Sequence, residues 1–432
     1  MSVAAAAGRD FVALSRRFLD VLGADGLGDE SDQRQFAVDG IEPSWVLLPA
    51  TASEAATALG ICAEHDLAVV PAGRGLRLGR GRVPGRLDVV LSTSAMGAIV
   101  DHAAADLTVT VEAGATLAAV NDALRSAGQW LPFDPPLPHE TTIGGLIAAQ
   151  AAGPSRQAFG TVRDSLLGTH ALLADGTAVK SGGRVVKNVA GYDLHKLLVG
   201  SFGTLALIVE ATFKLQPLPE TKRLVSFGPG AATRMIALAL TLADANLGTQ
   251  ILELLVGPQG ETVLVVEFAG MAEDVEEAER RAASRAGDFV AEPFDETALR
   301  ARLDAFERAA PDSVVLRAAV PRAFLGAWLV AALERCAPTA SRVSAHAHAA
   351  LGITRLRLEA ADDQRFPPLL ERLRAAAREG GGYLIVEHAP LRWKRWLDVW
   401  GPPSAGHDLM KGIKAAFDPR GLLAPGRFVG GL

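Results

Sequence analysis

Cysteine is almost missing from this chain, which has two in 432 residues, Cys62 and Cys336. Two thiols cannot supply the four-thiolate set of an iron–sulfur cluster, so any such relay must belong to another chain. Both lie in helix-like surroundings, which points to buried thiols. A basic excess is missing too. Lys and Arg total 43 against 49 Asp and Glu, a net charge of -6, so nothing is left over to neutralise a phosphate backbone and nucleic acid is not an expected partner. Long apolar runs are also absent. No stretch approaches the ~20 residues of a membrane span, and the run Ala4 to Ala7 is broken by Gly8, Arg9 and Asp10 before it can act as a signal-peptide apolar region. The expectation is a protein of the reducing cytoplasm with no direct membrane span.

What is present is ordinary globular composition, 49% hydrophobic and 21% charged. A chain of 432 residues exceeds one ordinary core, and domains of about 100 to 200 residues suggest two. After an N-terminal helical segment over 1–44, a short apolar strand starts at Trp45 and ends at Pro49, and Ser53 suits the N-cap of a helix running to His65. Strand-like runs follow at 67–70, 88–91, 98–102 and 107–112, and Thr116 caps a helix that Gly128 stops. A hairpin over 166–181 turns at Asp175 and Gly176, and 205–215 is the longest strand candidate. The expected class is α+β.

Gln216-Pro217-Leu218-Pro219 interrupts regular structure and sets an expected boundary between a first domain over 45–220 and a second over 221–400. Beyond it, strands at 251–256 and 262–268 flank Gly257-Pro258-Gln259-Gly260, and an amphipathic helix starts at Ala272. A similar grouping recurs over 353–387, without a sequence repeat strong enough to claim duplication. The second domain is expected to be a smaller antiparallel sheet with helices on one face, a cap on the first.

Three glycine-bearing segments carry the chemistry. The first is Pro71-Ala72-Gly73-Arg74-Gly75-Leu76-Arg77-Leu78-Gly79-Arg80-Gly81, directly after a strand. Its glycines permit positive φ and let N–H groups converge on an anion, with Arg74, Arg77 or Arg80 adding charge. It is not a Rossmann loop, because Arg82-Val83-Pro84-Gly85 and another strand follow where a helix would have to begin. Taken alone it could equally be a surface turn. The second is Thr141-Thr142-Ile143-Gly144-Gly145-Leu146, where adjacent glycines allow a planar or phosphorylated ligand close to the backbone, or simply a tightly packed helix start. The third runs from Gly182 through Lys187-Asn188-Val189-Ala190-Gly191-Tyr192-Asp193 to Gly200-Ser201-Phe202-Gly203-Thr204-Leu205.

In order and spacing these segments, with Gly160, Arg163-Asp164 and the terminal Phe417-Asp418-Pro419-Arg420-Gly421 and Pro425-Gly426-Arg427, resemble the FAD-binding family of the vanillyl-alcohol oxidase (PCMH) type. Within that family the FAD-binding subunits of glycolate oxidases are the similar group. The resemblance covers 45–220 densely and returns in a C-terminal segment over 401–432. It implies a PCMH-type FAD-binding domain of two α/β subdomains plus a cap, and a site in which Gly73, Arg74, Gly75 and Leu76, after Pro71, wrap the FAD pyrophosphate. Thr142, Ile143, Gly144 and Gly145 would line the flavin side, the stretch Gly200 to Ile208, with Gly203 and Ile208 at the cofactor, would pass near the adenosine half, and Gly160, Asp164 and Lys187 would complete the cofactor site. Asn188, Tyr192 and Asp193 would either wall the flavin from the cap or fix a loop by buried hydrogen bonds. The first loop contains neither His nor Cys, so FAD should be held noncovalently.

The resemblance implies oxidation of a small 2-hydroxy acid, glycolate to glyoxylate, beside a second flavin subunit and an iron–sulfur subunit. The alternatives are a self-sufficient 2-hydroxy-acid dehydrogenase and a non-catalytic FAD-binding assembly subunit. Such chemistry needs a base for the hydroxyl proton and a cation for the carboxylate. His346 and His348, at alternate positions of a strand, face the same way and supply the base. With no evident carboxylate or third His beside them, no metal site is expected. Arg317, Arg355 or Arg357 could clamp the carboxylate.

Overall fold

The computed structural model describes residues 10–183, 192–403 and 405–432. Two helices, Phe11–Leu22 and Glu30–Gln35, come first, each started by an aspartate: Asp10 accepts from the Ala13 N–H, and Asp29 from the N–H groups of Ser31 and Asp32. The first packs onto the first sheet through Phe18, whose ring meets Trp45 edge-on at 5.8 Å.

That sheet is parallel, in the order Trp45–Leu47, Val89–Ser92, Val69–Ala72. Its crossover is the helix Ala52–Glu64, which buries Ala55, Ala58, Leu59 and Cys62 against it. Thr51, not the expected Ser53, is the N-cap. Its hydroxyl accepts the Glu54 N–H at 3.2 Å while the Glu54 carboxylate takes the Ala50 N–H at 2.8 Å, which places Ser53 inside the first turn. A second, antiparallel sheet has the order Ile99–Ala103, Thr108–Glu112, Leu207–Lys214, Leu166–Leu172, Ala178–Gly182. Its inward residues Val109, Val111, Ala211 and Phe213 pack on the helices Leu117–Leu124 and Ile143–Ala148. Fully burying such side chains contributes roughly 1.5–3 kcal/mol each for the larger ones. Thr116 caps the helix at Leu117 as the sequence suggests. The two sheets with their helices are the two α/β subdomains of a PCMH-type fold.

From Thr221 onward the chain forms one eight-stranded antiparallel sheet, ordered Glu292–Pro293, Thr221–Gly230, Thr262–Gly270, Thr249–Val256, Arg342–His348, Ile353–Glu359, Val314–Ala319, Tyr383–His388. Read in chain order, each half is a βαββαβ unit, and the halves join through their second strands, Thr249–Val256 and Arg342–His348. The duplication that the residues alone do not reveal is therefore plain in the topology.

Alternation along the strands sorts side chains to two faces. Leu252, Leu254, Ala345, Ala347, Leu356 and Leu358 bury under the helices Ala232–Asp244, Ala272–Ala283, Leu325–Cys336 and Phe366–Glu379. The expectation of helices on one face fails at the helix Glu296–Glu307. Its Leu299 and Leu303 cover Ile251, Leu255 and Val265 on the opposite face. That helix also clasps the first domain: Asp304 accepts the Leu137 N–H at 2.9 Å and Arg300 donates to the Asp134 carbonyl at 3.0 Å.

The chain's end returns to the start. Leu423 bridges Val69, the Arg82 N–H donates to the Arg427 carbonyl at 3.0 Å, and the Arg427 guanidinium donates to the carbonyls of Leu78 and Arg80. The terminal Arg therefore fixes the first glycine loop from behind.

Candidate active site

A groove opens between the two small sheets. Pro71, Gly73, Arg74, Gly75, Leu76, Thr142, Gly144, Gly145, Gly203 and Ile208 all line it, which gathers most of the residues that the sequence nominates for the cofactor. Local geometry explains why these positions are glycine. A Cβ on Gly73 would stand 2.1 Å from the Thr142 hydroxyl, so the first and second motifs touch through that missing side chain. Gly75 has φ +81°, and Gly203, at φ +72°, packs on Pro71. Among the described residues the N–H groups of Arg74, Gly75 and Leu76 donate to no protein acceptor. Unspent amides in a positively charged loop are the donor set that a pyrophosphate requires. FAD fits this chain on that ground.

Some nominated residues fall elsewhere. Ile143 is buried in the core beneath the groove. Gly160 and Asp164 do not line it. The Asp164 carboxylate is spent on Thr161, accepting its N–H at 2.7 Å and its hydroxyl at 2.9 Å. Lys187 and Asn188 lie outside the described residues. Tyr192 is 90% exposed and Asp193 is exposed, so neither makes the buried hydrogen bonds allowed for them. No His, Cys or Tyr lines the groove among the described residues, in keeping with noncovalent FAD.

A second hollow of about 510 Å³ lies between the groove and the open face of the large sheet. It shares Arg77, Ala149 and Phe202 with the groove, so the two spaces adjoin. His346 and His348 line it, side by side as alternation demands, at the seam where the two βαββαβ halves meet. Opposite His348 in the neighbouring strand is Glu253. Its fully buried carboxylate bonds His346 Nδ1 at 2.6 Å and His348 Nδ1 at 2.5 Å. Burial opposes ionisation of Glu253, but the two imidazoles outweigh it and hold the carboxyl well below its usual range.

An ionised carboxylate only accepts, so each Nδ1 carries the hydrogen, and in a neutral ring Nε2 is then the acceptor. His346 Nε2 is buried without a hydrogen-bond partner. Burial also lowers the His346 pKa, which keeps the ring neutral and ready to take a proton at that atom. Glu253 also overturns the reason for expecting no metal. The three side chains present ligand atoms within 4.8 Å of one another, a set able to hold a divalent cation.

Around this triad stands a charge cluster. Glu307, only 2% exposed, pairs with Arg77 and Arg80 at 2.6 Å each and with Arg355 at 3.2 Å. Glu387 binds Arg355 Nε at 2.6 Å, with Arg317 Nε 3.4 Å away. Burial pushes the Glu307 carboxyl up, and the guanidinia of Arg80, Arg77 and Arg355 overcome it and hold the pKa at about 2. Of the three proposed clamps, Arg355 is thus committed to two carboxylates, and Arg357 turns to the Ala305 carbonyl and Glu359. Arg317 alone stays loosely held. Glu253, Glu307, Glu387 and Arg156 are not among the residues that the sequence nominates. A lone carboxylate inside an apolar strand, as in Ile251 to Val256, was the available signal for the first.

Two α/β subdomains with a glycine-lined groove between them form the PCMH-type FAD-binding fold, here roofed by a duplicated antiparallel cap. Comparison with known proteins agrees. Residues 43–182 match the FAD binding domain family and residues 224–428 the FAD linked oxidases, C-terminal domain. Glycolate oxidase subunit GlcD of Bacillus subtilis is 31% identical over 89% of this chain and 88% of its own length. D-lactate dehydrogenase of Archaeoglobus fulgidus is 30% identical over 89% and 91%. Glycolate oxidase subunit GlcE of Escherichia coli is 44% identical, over 28% of this chain and 35% of its own. In fold, p-cresol methylhydroxylase superposes with TM-score 0.76 at 16% identity, covering 96% of both chains. The chain belongs to the FAD-linked oxidases, and it is an FAD-dependent oxidoreductase.

Proposed function

We propose that this protein oxidises the CH–OH group of a small 2-hydroxy acid, with glycolate to glyoxylate as the specific reaction, and that His346 removes the hydroxyl proton at Nε2. One observation carries the reading. A buried, neutral imidazole with a free acceptor nitrogen, oriented by a carboxylate, faces a cationic cavity that adjoins the flavin groove. The bound flavin supplies a two-electron acceptor for the hydride. The protein's own residues do the rest. Glu253 fixes the tautomer and stabilises the imidazolium that forms, and the arginines hold an anion in the cavity. Relatives named as a glycolate oxidase subunit and a D-lactate dehydrogenase, matched over nearly the full chain, support the substrate class.

We further read the chain as one subunit of a complex that contains a second flavin subunit and an iron–sulfur subunit. Two buried, unpaired cysteines suit a reducing cytoplasm and leave electrons to depart through a partner. Among the described residues, no helix is long and apolar enough to cross a membrane. The same site also suits a self-sufficient dehydrogenase. Anaerobic addition of glycolate or lactate to the purified FAD-loaded chain separates these readings. Bleaching of the flavin without partners favours the self-sufficient enzyme, and bleaching only in the complex favours the subunit. Flavin that neither acid bleaches, alone or in the complex, contradicts the proposal.

A further inference from the structure

The back of the first glycine loop is held by the far end of the chain. Three consecutive carbonyls, those of Leu78, Gly79 and Arg80, accept from two buried cations. The Arg427 guanidinium takes the first and the third. The ammonium of Lys394, 5% exposed at the end of the short cap helix Leu391–Lys394, takes the second, with Nζ 2.6 Å from the Gly79 oxygen. Lys394 also donates to both carboxylate oxygens of Asp39, at 2.5 and 2.7 Å, so all three of its hydrogens are accounted for. Asp39 stands at φ +52°, a left-handed conformation that is uncommon outside glycine and that persists where the surroundings fix it. Four stretches of chain distant in sequence thus meet at one buried point: the segment before the first strand, the glycine loop, the cap and the terminal tail.

Charge and direction set this joint apart from ordinary packing. Lys394 and Arg427 face one carboxylate, Asp39, and Arg427 makes no ion pair among the described residues, which leaves one positive charge in excess behind the loop. Burial lowers the pKa of both cations, Arg427 to about 10, so their charge is kept against a desolvation cost that a single aspartate only partly offsets. An anion on the front of the loop offsets the remainder. Peptide planes are rigid, so carbonyls pinned at the rear fix the course of the chain. The residues just before them, Gly73 to Leu76, line the groove and carry the free amides of Arg74, Gly75 and Leu76. Among the described residues none between 221 and 400 lines that groove, so Lys394 acts on the cofactor site without entering it.

We infer that Lys394 is a positioning residue for FAD: with Asp39 and Arg427 it fixes the loop whose amides face the diphosphate, and it thereby makes cofactor affinity depend on the cap. Nothing in this depends on which acid is oxidised.

The test uses the full chain, stripped of FAD and titrated with it again, as wild type, K394M, K394R and the double variant D39N/K394M. The double variant removes both charges together, a change that buried pairs commonly tolerate, so it decides the matter if K394M does not fold. FAD affinity is read by fluorescence titration of the apoproteins, and the phosphorus NMR spectrum of bound FAD reads the diphosphate itself. Expected results are FAD affinity lowered at least tenfold in K394M and in D39N/K394M, recovery of part of that loss in K394R, and diphosphate resonances displaced in both Met variants at saturating FAD. FAD affinity within threefold of wild type in both Met variants overturns the assignment. So does a lowered affinity with unmoved phosphorus resonances at saturation, which marks a general loss of packing and not a loop held in place for the diphosphate.

Discussion

The flavin groove and the cap cavity adjoin, yet they are made from opposite materials. The groove is built from backbone. Gly73, Gly75, Gly144, Gly145 and Gly203 withdraw side chains so that amides and carbonyls come close, and of the few charges there Arg427 braces the loop while Arg77 reaches Glu307 of the cap. The cavity is built from side chains, with charged groups raised from alternate strand positions of one sheet face, from a helix that crosses it and from the FAD-binding half opposite. Backbone amides recognise a fixed phosphate shape at low cost in side-chain entropy. Charged side chains set proton affinity and anion preference, at the cost of desolvation that other charges must offset. Damage to the two regions should therefore read out differently, cofactor retention for one and turnover or stability for the other.

The largest effect expected on stability is at Glu307. Glu307→Gln leaves Arg77, Arg80 and Arg355 buried beside one remaining carboxylate, and removing one partner of such a cluster costs on the order of 3–5 kcal/mol. Urea unfolding checks it. The sign with pH follows from the depressed pKa. The carboxylate contributes in full above its ordinary value near 4.5 and loses that contribution as pH falls through about 2, so the variant should lack this part of the wild type's acid destabilisation.

Glu253→Gln comes next and separates the regions cleanly. Without the charge that stabilises the imidazolium, flavin reduction by substrate should slow about 100-fold, roughly 2.7 kcal/mol, while FAD content stays at wild type. An equal loss of FAD would mean that the cavity also supports the groove. Gly73→Val is the reverse case. Its new side chain collides with Thr142, overpacking costs typically 1–3 kcal/mol, and the purified protein should be colourless or under-occupied while still folded by circular dichroism. Arg223→Ala is the control. The Arg223–Glu279 pair at 2.7 Å is exposed on the arginine side and far from both regions in the sheet, so stability should move by less than about 0.5 kcal/mol.

The same contrast governs how much could be read from the residues. The groove was legible because its determinants are local: a glycine whose φ or missing Cβ is required announces itself within a dozen residues, and the class α+β followed from strand and helix periods. Ile143 was misplaced because a run of small residues does not say which of them faces inward. The cavity was only half legible. His346 and His348 share a face by alternation alone, but Glu253 lies 93 positions earlier than His346 and meets it only through pairing of two repeats that sequence does not reveal. Likewise Glu307 reaches Arg80 across 227 positions because its helix packs on the face that the cap was expected to leave bare.

The proposed reaction turns on His346 as the proton acceptor beside the flavin. Stopped-flow reduction of the FAD-loaded protein by its hydroxy acid, wild type against His346→Asn at equal FAD occupancy, tests it most directly. A rate lowered at least 100-fold with the flavin retained is expected. A rate within threefold of the wild type would contradict it.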